Sequence, residues 1–167
     1  MAHRSWLGVL AILGAVAEAP LPAQTPGTAA PQFTLKTLEG GSDSLSHYLG
    51  NPVLINFWAT WCKPCRTEMP FIISAYQAHQ REKLSVLAIN LTDQEGSTKD
   101  IHKFVAEFQM PFPVLLDQKG KARKNYKLRG VPTTVLVDSA GVVRWLNQGP
   151  VTEAGLQQHL SEVLSPR

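Results

Sequence analysis

The chain has 167 residues, a formal net charge of +3, and 44% hydrophobic and 17% charged residues. These values predict one globular domain whose apolar core needs no cross-links, with some length left for an N-terminal extension. The mild charge and the lack of a basic stripe interleaved with aromatic residues argue against a nucleic-acid partner.

The N-terminus has the order of segments that is typical of a secretory signal. Two basic residues precede an apolar stretch over residues 6–17, and small, turn-prone residues follow it. This stretch is shorter than the about 20 residues that span a bilayer. We therefore predict a signal peptide over residues 1–23, with an uncleaved membrane anchor as the alternative. Residues 24–31 are predicted to be a flexible linker, and residues 32–167 the folded domain.

The first part of this domain resembles a short β-hairpin with a Gly-Gly turn, followed by a brief helix over residues 44–49. Residues 53–58 form an almost continuous apolar run, which predicts a strand that is buried on both faces. Residues 64–80 show helical periodicity, and Pro70 inside them predicts a kink or a restart of that helix.

The remaining elements are predicted from apolar runs and helical spacing. They are strands at 84–90 and 114–116, a helix at 99–108, a polar helical piece up to Tyr126, a hairpin of strands at 133–138 and 142–146, and a helix at 152–164. Strands and helices alternate before the terminal hairpin. We therefore expect an α/β fold, with a central mixed β-sheet flanked by helices on both faces and an N-terminal β-hairpin extension.

The two cysteines of the chain lie in the run Trp61-Cys62-Lys63-Pro64-Cys65, where a strand is predicted to end and a helix to begin. A disulfide between them closes a very small loop. It adds little stability, because the entropy that a disulfide removes from the unfolded chain grows with loop length. The spacing therefore indicates a dithiol that is oxidised and reduced repeatedly.

The position of each cysteine predicts its role. A helix N-terminus favours an anion, so Cys62 should ionise readily and act as the exposed, attacking thiol. Cys65 comes one turn later, more shielded, and should resolve the intermediate. Pro64 suits a first helical turn, since it has no N–H to leave unpaired. Trp61 is interpreted either as a core residue or as a residue that faces the substrate.

Glu68 lies three residues after Cys65, hence on the same helical face. A carboxyl group that is partly desolvated there would have a raised pKa and could move a proton to or from Cys65. The alternative is an ordinary solvated glutamate in the first turns of a helix. Pro132 precedes a predicted strand, and physical chemistry alone predicts a trans Val131–Pro132 bond.

Together these residues point to a family. The run from Asn56 to Pro70 resembles the thioredoxin superfamily, specifically its extracytoplasmic TlpA/ResA-like branch, which includes the thioredoxins of cytochrome c maturation. The Val131-Pro132-Thr133-Thr134 element, which comes before a strand, strengthens the resemblance. The likeness covers about residues 31–165 and implies a thioredoxin-like fold.

The resemblance also implies roles for individual residues. It implies that Pro132 is cis and packs against the Cys62–Cys65 pair, and that the Val131 backbone pairs with a bound substrate strand. Glu68 matches the active-site glutamate of ResA-like proteins. Cytoplasmic thioredoxins carry a buried aspartate where this chain has Asn56, so Glu68 is the natural substitute as proton acceptor.

The leading prediction is an enzyme, a periplasmic or extracytoplasmic thiol–disulfide oxidoreductase that reduces disulfides of secreted proteins with Cys62 and Cys65. The resemblance implies protein disulfide substrates, in cytochrome c maturation among other settings, and a membrane electron donor such as a DsbD/CcdA-like protein. A monomer is the default. The chain lacks a second Cys-x-x-Cys or a histidine pair at ligand spacing, so we expect no metal and no cofactor beyond the redox-active disulfide.

Three alternatives stay open. Lys63 favours the Cys62 thiolate, which pushes toward a thiol oxidant that donates disulfides. An AhpC-type peroxidase needs its cysteine after a Pro-x-x-x-Thr-x-x turn, whereas Pro52 lies ten residues before Cys62. A redox-inert or copper-handling thioredoxin-like binding protein is the third reading, but related copper chaperones use Cys-x-x-x-Cys, which is one residue longer.

Overall fold

The structure is a computed structural model that describes residues 25–164. Seven strands run over Thr34–Thr37 (β1), Ser42–Ser44 (β2), Val53–Trp58 (β3), Ser85–Asn90 (β4), Val114–Leu116 (β5), Thr133–Val137 (β6) and Val143–Gln148 (β7). Helices run over Lys63–Ala78 (α1), Thr98–Phe108 (α2), Lys121–Asn125 (α3) and Glu153–Leu164 (α4), with short 3₁₀ turns at Leu45–Tyr48 and Thr92–Gln94.

The strands form one mixed sheet in the order β2-β1-β5-β4-β3-β6-β7. At its centre β3 pairs in parallel with β4 and antiparallel with β6, from Val53 opposite Val137 to Phe57 opposite Thr133. The N-terminal hairpin joins the sheet through β1, which pairs antiparallel with β5. The prediction of a central mixed sheet with an N-terminal hairpin is therefore confirmed.

Two apolar clusters cover the two faces of the sheet, because residues along each strand alternate between them. In β3, Leu54 and Trp58 belong to the cluster that includes residues of α1, α2 and α4. Ile55 and Phe57 belong to the other cluster, with residues of α3 and the N-terminal segment. Every residue of β3 is buried, as the continuous apolar run predicted.

Helix α1 continues through Pro70 as a single helix of 16 residues, so the predicted restart does not occur. Proline lacks the N–H that would bond to the carbonyl of Arg66, yet α1 packs its apolar side against the sheet and α4, which holds the helix together across that gap. Helix α4 is capped at its start, since the Thr152 hydroxyl accepts a hydrogen bond from Gly155 N–H at 3.2 Å.

The predicted flexible linker is corrected by the structure for residues 27–31. Gly27 N–H donates to Val143 O at 2.7 Å, Val143 N–H donates to Thr28 O at 2.8 Å, and Ala30 N–H donates to Gly141 O at 2.9 Å. Ala30 is buried, and the Tyr126 hydroxyl donates to Pro31 O. Sequence composition does not reveal these hydrogen bonds to the distant β6–β7 turn and the start of β7, so the folded domain begins earlier than residue 32.

The predicted signal peptide over residues 1–23, with its possible anchor at 6–17, lies outside the described residues. Within residues 25–164, none of the helices combines the length and the apolar character that crossing a bilayer would require.

Candidate active site

The two cysteines meet where β3 leads into α1. They form a disulfide with an S–S distance of 2.05 Å. Cys62 is the N-cap residue of α1, and its Sγ accepts a hydrogen bond from Cys65 N–H at 3.2 Å. Cys62 Sγ therefore faces the backbone donors at the positive end of a long helix, which is the setting that favours a thiolate once the disulfide is reduced.

The exposure of the cysteines differs from the sequence-based prediction. Cys62 is only 3% exposed and Cys65 is fully buried, and both belong to the apolar cluster under α1. The order of the two is as predicted, but Cys62 is not an exposed residue in the disulfide form. The reason is local packing, because the neighbouring Trp58 and Ala59 are fully buried beside it.

The first turn of α1 carries positive charge and no acidic residue. Pro64 occupies one of its first two positions, as predicted. Lys63 is exposed, whereas Arg66 is half-buried, pairs with Glu107 and lies over the rings of Phe104 and Phe108. Cations at a helix N-terminus have the same sign as that end of the helix dipole, so they add to the positive potential around the Cys62 sulfur.

Glu68 lies one turn beyond Cys65 and is 1% exposed. Its Oε1 accepts a hydrogen bond from Asn56 Nδ2 at 2.8 Å, and its Oε2 accepts one from Val151 N–H at 2.9 Å. Burial raises the pKa of Glu68 above its ordinary value, and these two neutral donors offset only part of that effect. The solvated-glutamate alternative therefore does not describe this side chain.

Asn56 supports Glu68 from the neighbouring strand. It is fully buried in β3, opposite Thr134 in β6, and its Nδ2 also lies 3.3 Å from Thr134 Oγ1. A neutral amide can hold a buried carboxyl group without fixing its charge, which a lysine or arginine would do. This arrangement suits a group that gains and loses a proton.

Val151 and Thr134 are site residues whose contribution the sequence did not reveal. Val151 acts through its backbone N–H, 83 residues from Glu68, so its side chain carries no signal of this role. Thr134 lies beside the predicted Val-Pro-Thr element, and its place on the face of β6 toward Asn56 follows only from the β3–β6 register.

The loop before β6 contains a cis Val131–Pro132 peptide bond, as the family resemblance implied. It lines a shallow groove of about 270 Å³ together with Arg129, Gly130, Gln148 and Gly149. Val131 is half-buried and packs against both apolar clusters, one of which contains Cys62 and Cys65.

Trp61 is 56% exposed, whereas the nearby Trp58 is fully buried. The Trp61 indole N–H donates to Gln94 O at 3.1 Å. The interpretation of Trp61 as a core residue is therefore wrong, and Trp61 presents an aromatic surface next to Cys62. Among residues 25–164, no three His, Cys, Asp or Glu side chains are grouped as ligands for a metal ion.

Comparison with known proteins agrees with this geometry. Residues 26–146 match the AhpC/TSA family. Over 134 residues the chain is 42% identical to the thioredoxin-like protein YneN of Bacillus subtilis, covering 80% of this chain and 78% of that protein. It is 36% identical over 138 residues to the thiol-disulfide oxidoreductase ResA of Geobacillus thermodenitrificans, covering 82% and 77% respectively.

A solved structure shares the fold as well. The crystal structure of StoA from Bacillus subtilis aligns with a TM-score of 0.68 and 30% sequence identity, over 78% of this chain and 97% of that one.

Proposed function

Because the chain belongs to the AhpC/TSA family and is a ResA-like thiol–disulfide oxidoreductase, we propose that it works as a reductant of protein disulfides outside the cytoplasm. The observation that carries the proposal is the Cys62–Cys65 disulfide at the N-terminus of α1, one helical turn from a buried carboxyl group with a raised pKa. A helix-capped dithiol supplies the nucleophile, and the nearby carboxyl group supplies a proton acceptor for the Cys65 thiol.

The reaction begins with the reduced protein. The Cys62 thiolate attacks one sulfur of the substrate disulfide, the substrate S–S bond breaks, and the first substrate thiolate leaves and takes up a proton. Glu68 accepts the proton of the Cys65 thiol, whose thiolate then attacks Cys62 Sγ. The second substrate sulfur leaves as a thiolate and takes the proton that Glu68 accepted. The substrate gains two electrons and two protons, one proton from Cys65 through Glu68 and one from solvent, and the protein ends as the Cys62–Cys65 disulfide.

Two neighbouring features support substrate binding beside the cysteines. The groove at the cis Val131–Pro132 bond suits an extended chain that pairs with the Val131 backbone, in the manner of an added β-strand. The exposed Trp61 ring belongs to the residue immediately before Cys62 and offers substrate an apolar contact beside the nucleophile. Pro64 is exposed in the first turn of α1, beside Cys62 and Cys65, where it offers substrate an apolar ring and leaves no unpaired N–H of its own.

The location and the electron supply are part of the proposal. The basic, apolar and small-residue order at the N-terminus supports export from the cytoplasm. A reductant in an oxidising compartment needs electrons from elsewhere, and a DsbD/CcdA-like membrane protein is the kind of donor that fits. We further propose a monomer, with heme-attachment cysteines of apocytochrome c as one class of substrate.

The reduction potential tests the direction of the reaction. We would equilibrate the protein in a series of redox buffers and trap its thiols. A midpoint near or below about −270 mV, the value of thioredoxin, supports a reductant. A midpoint near −120 mV would overturn that direction and make the protein a disulfide donor, an outcome that the cations in the first turn of α1 would explain.

A further inference from the structure

Glu95 lies outside the residues assigned so far, yet both of its carboxylate oxygens are engaged with the active-site loop. Its Oε1 accepts hydrogen bonds from Thr60 N–H and from Asn90 Nδ2, each at 2.7 Å. Its Oε2 accepts one from the Thr60 hydroxyl at 2.5 Å. Three donors on one half-exposed carboxylate are more than a surface glutamate needs, and two of them belong to the residue before Trp61.

The segment that carries Glu95 runs along the chain between β3 and α1. Leu91 N–H donates to Trp58 O at 3.0 Å, and the Trp61 indole donates to Gln94 O. The chain between Trp58 and Cys62 is therefore held at three successive points by residues 91–95. This segment begins where β4 ends, so its position is fixed by the sheet.

The consequence falls on Trp61. A large aromatic side chain that is 56% exposed would ordinarily sample several rotamers. Its N–H is tied to Gln94 O, while Glu95 fixes the backbone at Thr60, so one edge of the ring is held while more than half of the residue stays exposed to solvent. An aromatic surface that is ordered before binding loses less entropy when it is covered.

We propose that Glu95 is a positioning residue that holds Trp61 as a platform for an apolar side chain next to the disulfide of a polypeptide substrate. The platform lies immediately before Cys62, so a side chain resting on it belongs to a residue adjacent to the cysteine under attack. This inference rests on the proposed reductase function and adds a preference among its substrates.

The test is a single-turnover reaction of the reduced, desalted protein with three disulfides. Two are oxidised peptides that are identical except for phenylalanine or glycine before the cysteine, and the third is hydroxyethyl disulfide. In each reaction the protein loses two electrons and two protons, forms the Cys62–Cys65 disulfide and converts the substrate disulfide to two thiols. Acid quenching, alkylation and mass spectrometry give the second-order rate constant.

We expect the wild-type protein to favour the phenylalanine peptide. Glu95→Gln should slow that reaction about three- to tenfold and change the other two by less than about twofold. Trp61→Ala should cause the same selective loss, and the double variant should be no slower than Trp61→Ala alone, because both changes remove one platform. The indole N–H signal of Trp61 in a ¹⁵N NMR spectrum, assigned by its loss in Trp61→Ala, should move in Glu95→Gln.

Two further variants serve as a negative control and as an independent test of the Glu95 contact. Glu39→Gln removes an exposed carboxylate in the β1–β2 turn and should leave all three rates unchanged. Thr60→Val keeps the carboxylate but removes its hydroxyl partner, and it should show a smaller loss confined to the phenylalanine peptide, which keeps the test usable should Glu95→Gln unfold.

Three results would overturn the role of Glu95. They are equal slowing with all three disulfides, an unchanged rate with the phenylalanine peptide, and losses that multiply with Trp61→Ala. A wild-type protein that reduces none of the disulfides would instead refute the reductase function.

Discussion

Two buried or half-buried carboxyl side chains, Asp138 and Glu68, are held by different kinds of donors. Asp138 pairs with the Arg144 guanidinium, whereas Glu68 is held by a neutral amide and a backbone N–H. Asp138 follows β6 at the end of the sheet where β3 begins. Its Oδ1 accepts hydrogen bonds from Ala140 and Val142 N–H, and its Oδ2 binds the Arg144 guanidinium at 2.6 Å. Burial alone raises the pKa of Asp138, but these donors outweigh it, so the pKa lies below its ordinary value.

Glu68 is more deeply buried than Asp138 and accepts fewer hydrogen bonds, none of them from a charged donor. Its donors are one amide side chain and one backbone N–H, and the pKa of Glu68 is raised by burial despite them. The comparison teaches that this chain can neutralise a carboxylate with arginine where the carboxylate only fastens a turn. Near the dithiol it leaves the carboxyl group free to change its charge.

The largest expected effect tests whether the dithiol beside Glu68 carries the reaction and the region around Asp138 does not. Cys62→Ser should abolish reduction of protein disulfides, because the attacking sulfur is gone. Cys65→Ser should instead accumulate a mixed disulfide between Cys62 and substrate, visible on a non-reducing gel. Asp138→Asn, a change in the other region, should keep the wild-type rate. Turnover by either cysteine variant would contradict the mechanism.

The next largest effect concerns the transfer of the Cys65 thiol proton to Glu68. Glu68→Gln should slow resolution of the mixed disulfide about a hundredfold or more at neutral pH, because Cys65 loses its proton acceptor. The rate of Cys65 attack, followed in a single turnover, should also lose the inflection that the raised pKa of Glu68 gives the wild-type protein. A Glu68→Gln profile that matches the wild type would make this carboxyl group structural, like Asp138.

The third effect tests the structural side of the comparison. Asp138→Asn should lower the free energy of unfolding by about 1–3 kcal/mol, because it weakens the pairing with half-buried Arg144 and the two backbone donors. Urea unfolding of the oxidised protein would measure this loss. A disulfide-reduction rate that falls along with stability would show that the two regions are not independent.

The smallest expected effect is that Glu68 and Asp138 change the free energy of unfolding in opposite directions as pH rises. The folded-state pKa of Glu68 is raised, so its proton stabilises the fold below the unfolded value of about 4.3, and this contribution is lost as pH rises through the folded pKa. The folded-state pKa of Asp138 is lowered. Its contribution is present above about 3.9 and is lost as pH falls through the folded pKa.

Each variant should therefore flatten a different limb of the stability curve. Glu68→Gln should remove the loss of stability that sets in as pH rises above the unfolded value of about 4.3, and Asp138→Asn should remove part of the loss in acid. The size of each change is about 1.4 kcal/mol for every pKa unit between folded and unfolded states. Urea unfolding of the oxidised proteins from pH 3 to pH 8 measures both, and changes on the same limb would refute the assignment.

Local pattern was enough to predict much of the fold. The apolar run of β3 predicted a strand with both faces buried, and the Cys-x-x-Cys spacing located the helix start within one residue of Lys63. Pro70 was misleading in part, because packing of α1 against the sheet and α4 outweighs one missing hydrogen bond. The linker prediction failed at residues 27–31, since small polar composition does not report pairing with a distant edge strand.

The sequence predicted the site residues whose side chains and helical spacing identify them, but not the contacts that depend on tertiary packing. Spacing indicated Cys62, Cys65 and Glu68, whose helical positions follow from sequence alone. The depth of burial of Glu68 and its bond to Val151 N–H depend on how the β7–α4 connection passes over α1, which no local pattern specifies. Glu95 gave no signal either, because a lone glutamate in a polar loop is ordinary until its three donors are seen.

The pairing of residues 27–30 with the start of β7 also limits the unwanted addition of unfolded chains to the edge of the sheet. A protein that meets incompletely folded chains risks having them add to its sheet as extra strands. One outer edge is partly covered by the N-terminal segment, and the other is β2, only three residues long and carrying Asp43. The β2 edge therefore offers an added strand only three residues to pair with, and the start of the β7 edge is already paired. Both features reduce the chance that a bound polypeptide extends the sheet instead of meeting the disulfide.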